Sequence, residues 1–369
     1  MKKLLCIILV LVTFFVFTSC ESIYEFNEST SFDSDVNPNA PIESNTEDGT
    51  EIKNETESDG KLDSNETSDS TGNTESTKPT ESTKPTESTN PSEPNGSQNS
   101  EIILKGEPIR VMSYNLKNGY INANRKANTI KDITDFMPDT IGTQETNMRW
   151  FNTFEEKGLL DEYELVGEQR YGDKVDREAN DNEASAILYR KSKFNLIDSG
   201  TYWLSETPEE VNSKLEESKY VRIMTYVVLE RKTDGVRFVH VNTHLNTTPA
   251  INLRQVQIMI SLVNERIYSK HGKLPTFYTG DFNADPSSEN EDGYKYLIST
   301  GTENARDVAK VSSDENTITG GGKIDHCVVT KGDFYVTLFD VDQERTDTTE
   351  NAYSNHYPIC VEMYLVAKK

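Results

Sequence analysis

The sequence predicts an α/β fold for residues 101–369, in which strands alternate with helices and with further strands. Short runs of apolar and β-branched residues recur along this region, and many end at Gly, Pro, Asn or Asp, which is typical of buried strands. Other segments carry apolar residues at helical spacing, as Ile130, Ile133 and Met137 do within 125–137. No second linker interrupts the region, so we expect one domain.

The first half of the domain contains five predicted strands and one helix. The helix covers 125–137 and ends before Pro138, which cannot continue it. The last two strands are expected to pair antiparallel through a turn at Asp234-Gly235. In order, the strands are PIRVMSYNL (108–116), TIGTQET (140–146), EASAILYR (183–190), YVRIMTYVVLE (220–230) and VRFVHVNTHLN (236–246).

The second half begins with a long amphipathic helix over roughly 252–268, and four strands follow it. The first of these strands runs into Gly280 and then into Asp281 and Asn283. Asp and Asn often cap such turns, but the end of a strand is also where a rigid sheet presents functional side chains. In order, the strands are LPTFYT (274–279), KIDHCVV (323–329), FYVTLFD (334–340) and YPICVEMYLV (357–366).

Residues 1–19 have the pattern of a bacterial lipoprotein signal peptide. A Lys-Lys pair precedes an apolar run over 4–17, which is too short for a comfortable membrane span. The FTSC that follows resembles the lipid-attachment motif of lipoproteins, so Cys20 is expected to be acylated and to anchor the protein to a membrane. Phe17 fits that motif less well than Leu, which leaves ordinary cleavage and secretion as the alternative. Either route predicts an extracytoplasmic protein.

Residues 20–100 are predicted to form a disordered tether. They contain almost no apolar side chains and are dominated by Ser, Thr, Asn, Glu and Pro, with a threefold hexapeptide repeat in TESTKPTESTKPTESTNP (74–91). Such a segment cannot bury enough apolar surface to offset its chain entropy. Its expected role is to hold the domain away from the cell surface.

The chain is acidic, with a formal net charge of −24, and acidic residues outnumber basic ones within the domain as well. A long basic groove for nucleic acid is therefore not expected, because Lys and Arg drive phosphate-backbone binding. A bound divalent cation would offset part of the negative charge locally. Cys327 and Cys360 fall in two apolar strands, and we expect buried free thiols there rather than a disulfide.

Polar side chains of the metal-ligand and acid–base types stand at the ends of strands that otherwise read as core. A single polar residue at a strand end is ordinary, but here the pattern repeats in a chain with only 5 His. His240, within a strand, is expected to be an ordinary core histidine. The strand-end residues are Asn115, Glu145, Glu183, His244, Asp281, Asn283, Asp325 and His356.

The motifs around these residues resemble the endonuclease/exonuclease/phosphatase superfamily of deoxyribonuclease I-like phosphohydrolases. They are SYNL, QE, a lone Glu ahead of LYR, NTHLN, GDFNADP, KIDH and NHYPI, and they span 113 to 358 in the order of the family. Each motif is weak alone, whereas seven in sequence are specific. The resemblance implies a four-layer α/β sandwich, with two mixed β-sheets packed face to face, helices outside, and the site at one edge.

The resemblance implies metal-assisted attack of water on phosphorus. Glu145 matches the metal carboxylate of the family, with Asn115 beside it and Asp281 setting the metal or the water. Oxygen ligands of this kind suit Mg²⁺, with Mn²⁺ or Ca²⁺ as alternatives. His356 matches the general base, and Asp325 matches the carboxylate that holds its imidazole in the correct tautomer.

The remaining motif residues are implied to contact the phosphate and the leaving group. His244 would neutralise or protonate the departing oxygen, with Glu183 placed as its partner. Asn283 would donate to the phosphoryl oxygen as charge builds, and Arg222 occupies a position where members of the family often carry a phosphate-contacting Arg. One residue departs from the pattern: Asn355 stands where the family usually has Asp, which favours weaker binding of a second metal or a one-metal mechanism.

The motifs specify a phosphoester bond and leave its substrate open. We expect first a phosphodiesterase with nuclease activity and second a sphingomyelinase- or inositol-phosphatase-like hydrolase of lipid or sugar phosphates. A third hypothesis is an inactive hydrolase fold that serves as a surface binding module. The domain is expected to act as a monomer.

Overall fold

The computed structural model describes residues 102–119, 121–172, 182–288 and 291–368. The predicted signal peptide (1–19), the lipidation site Cys20 and the predicted tether (20–100) lie outside the described residues. Among the described residues, no helix is both long and apolar enough to cross a bilayer.

The domain follows an alternation of strands and helices. The strands are β1 (Leu104–Asn115), β2 (Thr140–Thr146), β3 (Tyr163–Val166), β4 (Ala184–Arg190), β5 (Phe194–Trp203), β6 (Ile223–Arg231), β7 (Arg237–His244), β8 (Thr276–Asp281), β9 (Thr302–Asn304), β10 (Val311–Ser312), β11 (Asp325–Thr330), β12 (Phe334–Val341) and β13 (Ile359–Val366). The helices are α1 (Ala123–Phe136), α2 (Met148–Glu156), α3 (Leu159–Glu162), α4 (Pro249–Leu262), α5 (Ser269–His271), α6 (Asp292–Ser299) and α7 (Ala305–Val308).

The strands form two mixed sheets. The first sheet has the order β10-β12-β13-β1-β2-β4-β3, and the second has the order β5-β6-β7-β8-β11-β9. Parallel pairing joins β1 to β2 in the first sheet and β7 to β8 in the second, whereas β11 runs antiparallel to β8. Both sheets therefore combine parallel and antiparallel neighbours, as the resemblance implied.

Alternating side chains divide the core into layers. In β1, Val111 points into the cluster between the sheets, whereas Met112 and Tyr114 pack in the cluster shared with α1 and α2. On the far side of the second sheet, a third cluster contains Met259 of α4 and Leu297 of α6. Because side chains alternate along a strand, both faces of each sheet are covered. The result is the expected four-layer α/β sandwich.

Most element bounds match the sequence patterns within a few residues. The strand over 140–146 is confirmed, and β6 and β7 pair antiparallel as predicted. The helix predicted over roughly 252–268 is confirmed, although α4 starts slightly earlier, at Pro249, and the segment Val263–Tyr268 is π-helical. Pro is well suited to the first turn of a helix, which explains the earlier start.

Two further expectations about the core are confirmed. Cys327 and Cys360 are buried free thiols. His240 is fully buried between the sheets, where its ring nitrogens lie 2.9 Å from Thr140 Oγ1 and 2.7 Å from Thr279 Oγ1. Burial lowers the pKa of His240 to about 3, so this histidine is neutral. It ties the two sheets together beneath the site.

Candidate active site

The pairing register brings the polar strand ends to one edge of the sandwich. In the second sheet His244 pairs opposite Asp281 at the end of β8, and Asp325, the first residue of β11, also pairs opposite Asp281. In the first sheet Asn115 ends β1 beside β2. Parallel strands share their carboxyl edge, and an antiparallel neighbour begins there, so these side chains must converge.

Gly280 lets β7 and β8 approach closely at this edge. A Cβ atom at position 280 would lie 2.2 Å from the carbonyl oxygen of Thr243, a distance that side chains do not tolerate. The glycine of GDFN therefore has a packing role next to the functional residues.

Glu145 reaches the site through a bulge in β2. Its backbone is left-handed, with φ at 56°, and the pairing of β2 with β4 shifts register between Thr143 and Thr146. Bulges redirect a side chain in this way and are frequent beside active sites. One carboxylate oxygen of Glu145 accepts from the backbone N–H of Asn118 at 2.8 Å, and the other accepts from Asn115 Nδ2 at 3.1 Å.

Asn115 links the two sheets through two carboxylates. Its Nδ2 donates to Asp281 Oδ2 at 2.9 Å as well as to Glu145, while its Oδ1 accepts from the backbone N–H of Lys117 at 3.0 Å. The amide thus presents its nitrogen to the acidic pair, and it would have to turn over to offer an oxygen to a metal. Asn115 in this orientation holds Glu145 and Asp281 near one point.

The acidic residues fit a divalent cation. Asp281 is buried, and burial followed by the charge of Asp325 raises the pKa of Asp281 to about 7. A bound cation would offset both the burial of the Asp281 charge and its repulsion from Asp325, because it supplies the opposite charge that buried carboxylates need. Ligand atoms of Asp281, Asp325 and His356 also lie within 4.8 Å of one another, which makes a second group that could hold a metal.

His356 and Asp325 form a buried pair. His356 Nδ1 lies 2.9 Å from one carboxylate oxygen of Asp325 and 3.1 Å from the other. His356 Nε2 faces the acidic pocket, 3.8 Å from Asp281 Oδ2. Burial opposes the imidazolium, but Asp325, through charge and hydrogen bonding, and then Asp281 raise the pKa of His356 to about 9.

Glu183 is not paired with His244, contrary to the expected partnership. Glu183 Oε2 accepts from Arg170 Nη1 at 2.9 Å and lies 4.0 Å from Arg222 Nη1, and its other oxygen accepts from Asn118 Nδ2. Burial raises the pKa of Glu183 to about 7, although the charge of Arg170 opposes this rise. Arg170 competes successfully for this carboxylate because hydrogen bonds between ionised partners are stronger than those to a neutral imidazole.

His244 instead approaches Asp281, with 3.4 Å between Nε2 and Oδ2, and its buried Nδ1 has no hydrogen-bond partner among the described residues. Burial, followed by the charge of Arg222, holds the pKa of His244 well below its usual range. The imidazole is therefore neutral at physiological pH, and it can donate a hydrogen bond from only one nitrogen at a time.

Asn283 follows Asp281 in a tight turn with φ at 49°. Its backbone N–H donates to Asp281 Oδ1 at 2.9 Å, so Asp281 caps this turn as well as lining the cavity. Its Nδ2 donates to the carbonyl oxygen of Leu245 at 2.9 Å, which fixes the carboxamide beside the cavity.

Sequence patterns missed Arg170, Asn118 and Tyr220. Arg170 is buried, and its backbone N–H donates to the carbonyl oxygen of Glu183 at 2.8 Å, in a bridge beside β4 that carries no local signal. Asn118 lies shortly beyond the SYNL motif, and Tyr220 lies ahead of β6. Tyr220 and Arg222 stand close, with 5.4 Å between the guanidinium carbon and the ring centroid.

A cavity of about 400 Å³ connects these groups. Its wall carries acidic, basic and aromatic side chains together, and every predicted site residue of the domain except Asn115 and Asp325 lines it. The lining residues are Asn118, Glu145, Arg170, Glu183, Tyr220, Arg222, His244, Thr247, Asp281, Asn283, Ile318, Ile324 and His356. Asn115 and Asp325 stand behind it, bonded to residues that do line it.

The chain is similar to known proteins in both sequence and fold. Residues 112–347 match the model of the Endonuclease/Exonuclease/phosphatase family. Nocturnin of Rattus norvegicus is 26% identical over 214 residues, which cover 52% of this chain and 46% of nocturnin. The chain thus spans less than half the length of that curated relative.

Solved structures show the same fold. The endonuclease/exonuclease/phosphatase from Bacteroides vulgatus is similar with a TM-score of 0.61 and 25% identity, over 70% of this chain and 100% of that one. The human Nocturnin catalytic domain with bound sulfate anion has a TM-score of 0.56 and 20% identity, over 72% of this chain and 96% of that domain.

Proposed function

The chain belongs to the endonuclease/exonuclease/phosphatase family and is a phosphoester hydrolase, and from this premise we propose that it is an extracytoplasmic, metal-dependent phosphodiesterase with nuclease activity. The lipid anchor at Cys20 and the tether over 20–100 are parts of the same proposal. They rest on the N-terminal sequence pattern alone.

The pair formed by His356 and Asp325 carries the proposal. With both oxygens of Asp325 at Nδ1, the proton of a neutral imidazole stays on Nδ1, so Nε2 is the free acceptor that faces the cavity. The pKa of about 9 keeps Nε2 protonated near neutral pH while the acidic residues are uncompensated, but a cation held by Glu145 and Asp281 would offset that negative charge and lower the pKa. The imidazole, held in one tautomer, could then take a proton from water positioned at Nε2. No other histidine in the described residues has a carboxylate at one ring nitrogen and the cavity at the other.

Glu145 and Asp281 are the residues that would hold Mg²⁺, or alternatively Mn²⁺ or Ca²⁺, with Asn115 supporting both carboxylates. When bound, the cation would polarise the phosphoryl group and offset charge that builds on its oxygens. Asn355 offers no carboxylate, which favours one cation at this centre.

The basic wall of the cavity supports phosphoryl binding. Arg170 and Arg222 share one carboxylate, Glu183, which lies 2.9 Å from the first guanidinium and 4.0 Å from the second. Within the described part of the chain, both side chains have a buried Nε without a hydrogen-bond partner. Arg is suited to phosphate because its planar fork matches two oxygens at once. His244 and His356 line the same cavity as the two guanidinium groups, so a phosphate bound there would have neutral and charged donors around it.

Tyr220 favours a nucleic-acid substrate over a purely aliphatic one. Its ring lines the cavity beside Arg222, and bases stack on aromatic faces without regard to sequence. A second candidate is hydrolysis of lipid or sugar phosphates, favoured by the size of the cavity, about 400 Å³, which accommodates one small phosphorylated group. The chain is acidic overall, which argues against a long duplex as the nucleic-acid substrate.

A substrate panel tests the proposal. The full-length protein and its His356→Ala variant are assayed with Mg²⁺, and separately with EDTA, on plasmid DNA, single-stranded oligonucleotide, RNA, sphingomyelin, inositol polyphosphates and a chromogenic phosphodiester. We expect Mg²⁺-dependent cleavage that is fastest on the single-stranded oligonucleotide and RNA, that EDTA abolishes, and that His356→Ala lowers by about 10²–10⁴-fold. Faster turnover of sphingomyelin or inositol phosphates would establish the second candidate, and no turnover of any substrate would contradict the proposal.

A further inference from the structure

The general base His356 lies in a long connection that has little regular structure of its own. Between the end of β12 at Val341 and the start of β13 at Ile359, a stretch described throughout, there is no helix or strand, only an isolated bridge between Ile318 and His356. A loop of this kind holds a side chain in place only through specific contacts. The contacts around His356 therefore decide how precisely its imidazole is positioned.

Arg345 holds the backbone carbonyl of the base from within this connection. Its Nη2 donates to the backbone carbonyl oxygen of His356 at 2.7 Å. Its guanidinium lies between two rings, with its carbon 4.3 Å from the centroid of Tyr353 and 4.7 Å from that of Tyr357. Tyr357 directly follows His356 and Tyr353 lies shortly before it, so one guanidinium contacts the chain on both sides of the base in the sequence.

The same guanidinium is tied to the core of the first sheet. Arg345 Nη1 lies 3.8 Å from Asp132 Oδ2 of α1, and that oxygen accepts from the hydroxyl of Tyr114 in β1 at 3.0 Å. Tyr114 is fully buried and stands next to Asn115. A continuous set of contacts thus runs from β1, which supplies Asn115 to the site, to the backbone of the base.

From these contacts we propose that Arg345 is a positioning residue for the hydrolysis reaction, which fixes the backbone of His356 so that Nε2 faces the attacking water. Asp325 sets the tautomer and Ser354 ties the backbone N–H of His356 to β1, through bonds of 3.1 Å and 2.7 Å. Arg345 secures the remaining backbone group, the carbonyl. Misplacement by about 1 Å can cost about 10²-fold in rate, so this contact has a measurable consequence.

Arg125 provides a matched control for a merely structural effect. It is a buried arginine on α1 that binds the same connection, through bonds from Nε and Nη2 to Asn351 at 3.1 Å and 3.4 Å. Among the described residues, it makes no hydrogen bond to a member of the site. Substitution of Arg125 should loosen the connection without releasing the carbonyl of His356.

The test compares Arg345→Met, Arg345→Lys and Arg125→Met in the full-length protein, with a chromogenic phosphodiester and Mg²⁺. We expect Arg345→Met to lower kcat about 10- to 100-fold with KM within about 2-fold, and Arg345→Lys to recover part of the loss. Arg125→Met should keep kcat within about 3-fold. In the His356→Ala background, Arg345→Met should lower kcat by less than about 2-fold further, because Arg345 acts only through the base.

Equal losses from Arg345→Met and Arg125→Met, or a full further loss in the His356→Ala background, would overturn the inference. If Arg345→Met does not fold, Asp132→Asn replaces it. A smaller fall in kcat is then expected, and an unchanged kcat would count against the inference.

The inference rests on the proposed function, so a readout that needs no substrate separates the two. NMR signals of the His356 ring should shift in Arg345→Met and not in Arg125→Met, even if no substrate is turned over; an unshifted ring would refute the inference alone.

Discussion

Replacement of Asp325 by Asn should make the base less basic and the enzyme slower at the same time. In the native protein the pKa of His356 is about 9, against an ordinary value of 6.5, although burial alone would lower it. The substitution would remove the carboxylate charge and one strong acceptor while leaving the imidazole buried. We therefore expect the pKa of His356 in Asp325→Asn to fall below 6.5 in metal-free protein.

The magnitude follows from the pKa difference. A rise from 6.5 to about 9 corresponds to about 3 kcal/mol of preference for the charged imidazole in the folded state. Because the folded pKa is raised, this stabilisation is fully present below pH 6.5 and is lost as pH rises through about 9. Between about pH 6 and about pH 10, the native protein should lose about 3 kcal/mol more unfolding free energy than Asp325→Asn does.

Two assays check these values. Titration of the His356 ring by NMR in EDTA reports the pKa, and urea unfolding at the two pH values reports the stability difference. Although more of the imidazole is neutral at about pH 7 in Asp325→Asn, kcat should approach that of His356→Ala, because Asn can hold the wrong tautomer. A pKa that stays near 9 would refute the pairing as the cause, and an undiminished kcat would refute the tautomer role.

Three further outcomes test other parts of the proposal. Glu145→Gln should weaken Mg²⁺ binding in calorimetry by more than about 10-fold and remove most activity with the fold unchanged, whereas an unaltered affinity would locate the cation elsewhere. His244→Ala should slow an alkyl phosphodiester more than a nitrophenyl one, because nitrophenolate departs without help; equal losses for both leaving groups would contradict this role. Cys20→Ala should release the protein from membranes or leave the precursor uncleaved in fractionation, and an unchanged distribution of the mature form would argue against lipidation.

Much of the fold could be predicted because periodicity reports burial directly. The strand over 140–146, with the sequence TIGTQET, is rich in β-branched residues without helical spacing, and it is buried along nearly its whole length. The short elements were not predictable in this way. β9 and β10 contain three and two residues, and their strand pairing depends on β11 and β12 rather than on local sequence.

The site was predictable where residues end strands, since register alone brings Asp281, Asp325 and His244 together. The bulge at Glu145 could not be predicted. The left-handed backbone of a Glu inside a strand depends on tertiary contacts and leaves no signal in the local sequence. Arg345 was equally hidden. Its partners Asp132, Tyr353 and the carbonyl of His356 come from separate segments that only the fold brings together.

The partner of Glu183 changes how the leaving group can be handled. A Glu hydrogen-bonded to His244 would raise the pKa of that histidine, so that a protonated imidazole could give its proton to the departing oxygen. Glu183 instead accepts hydrogen bonds from Arg170 and Asn118. The pKa of His244 is instead held low by burial and by Arg222. Neutral imidazole can stabilise a departing oxygen by hydrogen bonding without first carrying a charge. A bound phosphate near Arg222 would offset the charge that disfavours imidazolium, so substrate binding itself would raise the pKa of His244 towards proton donation.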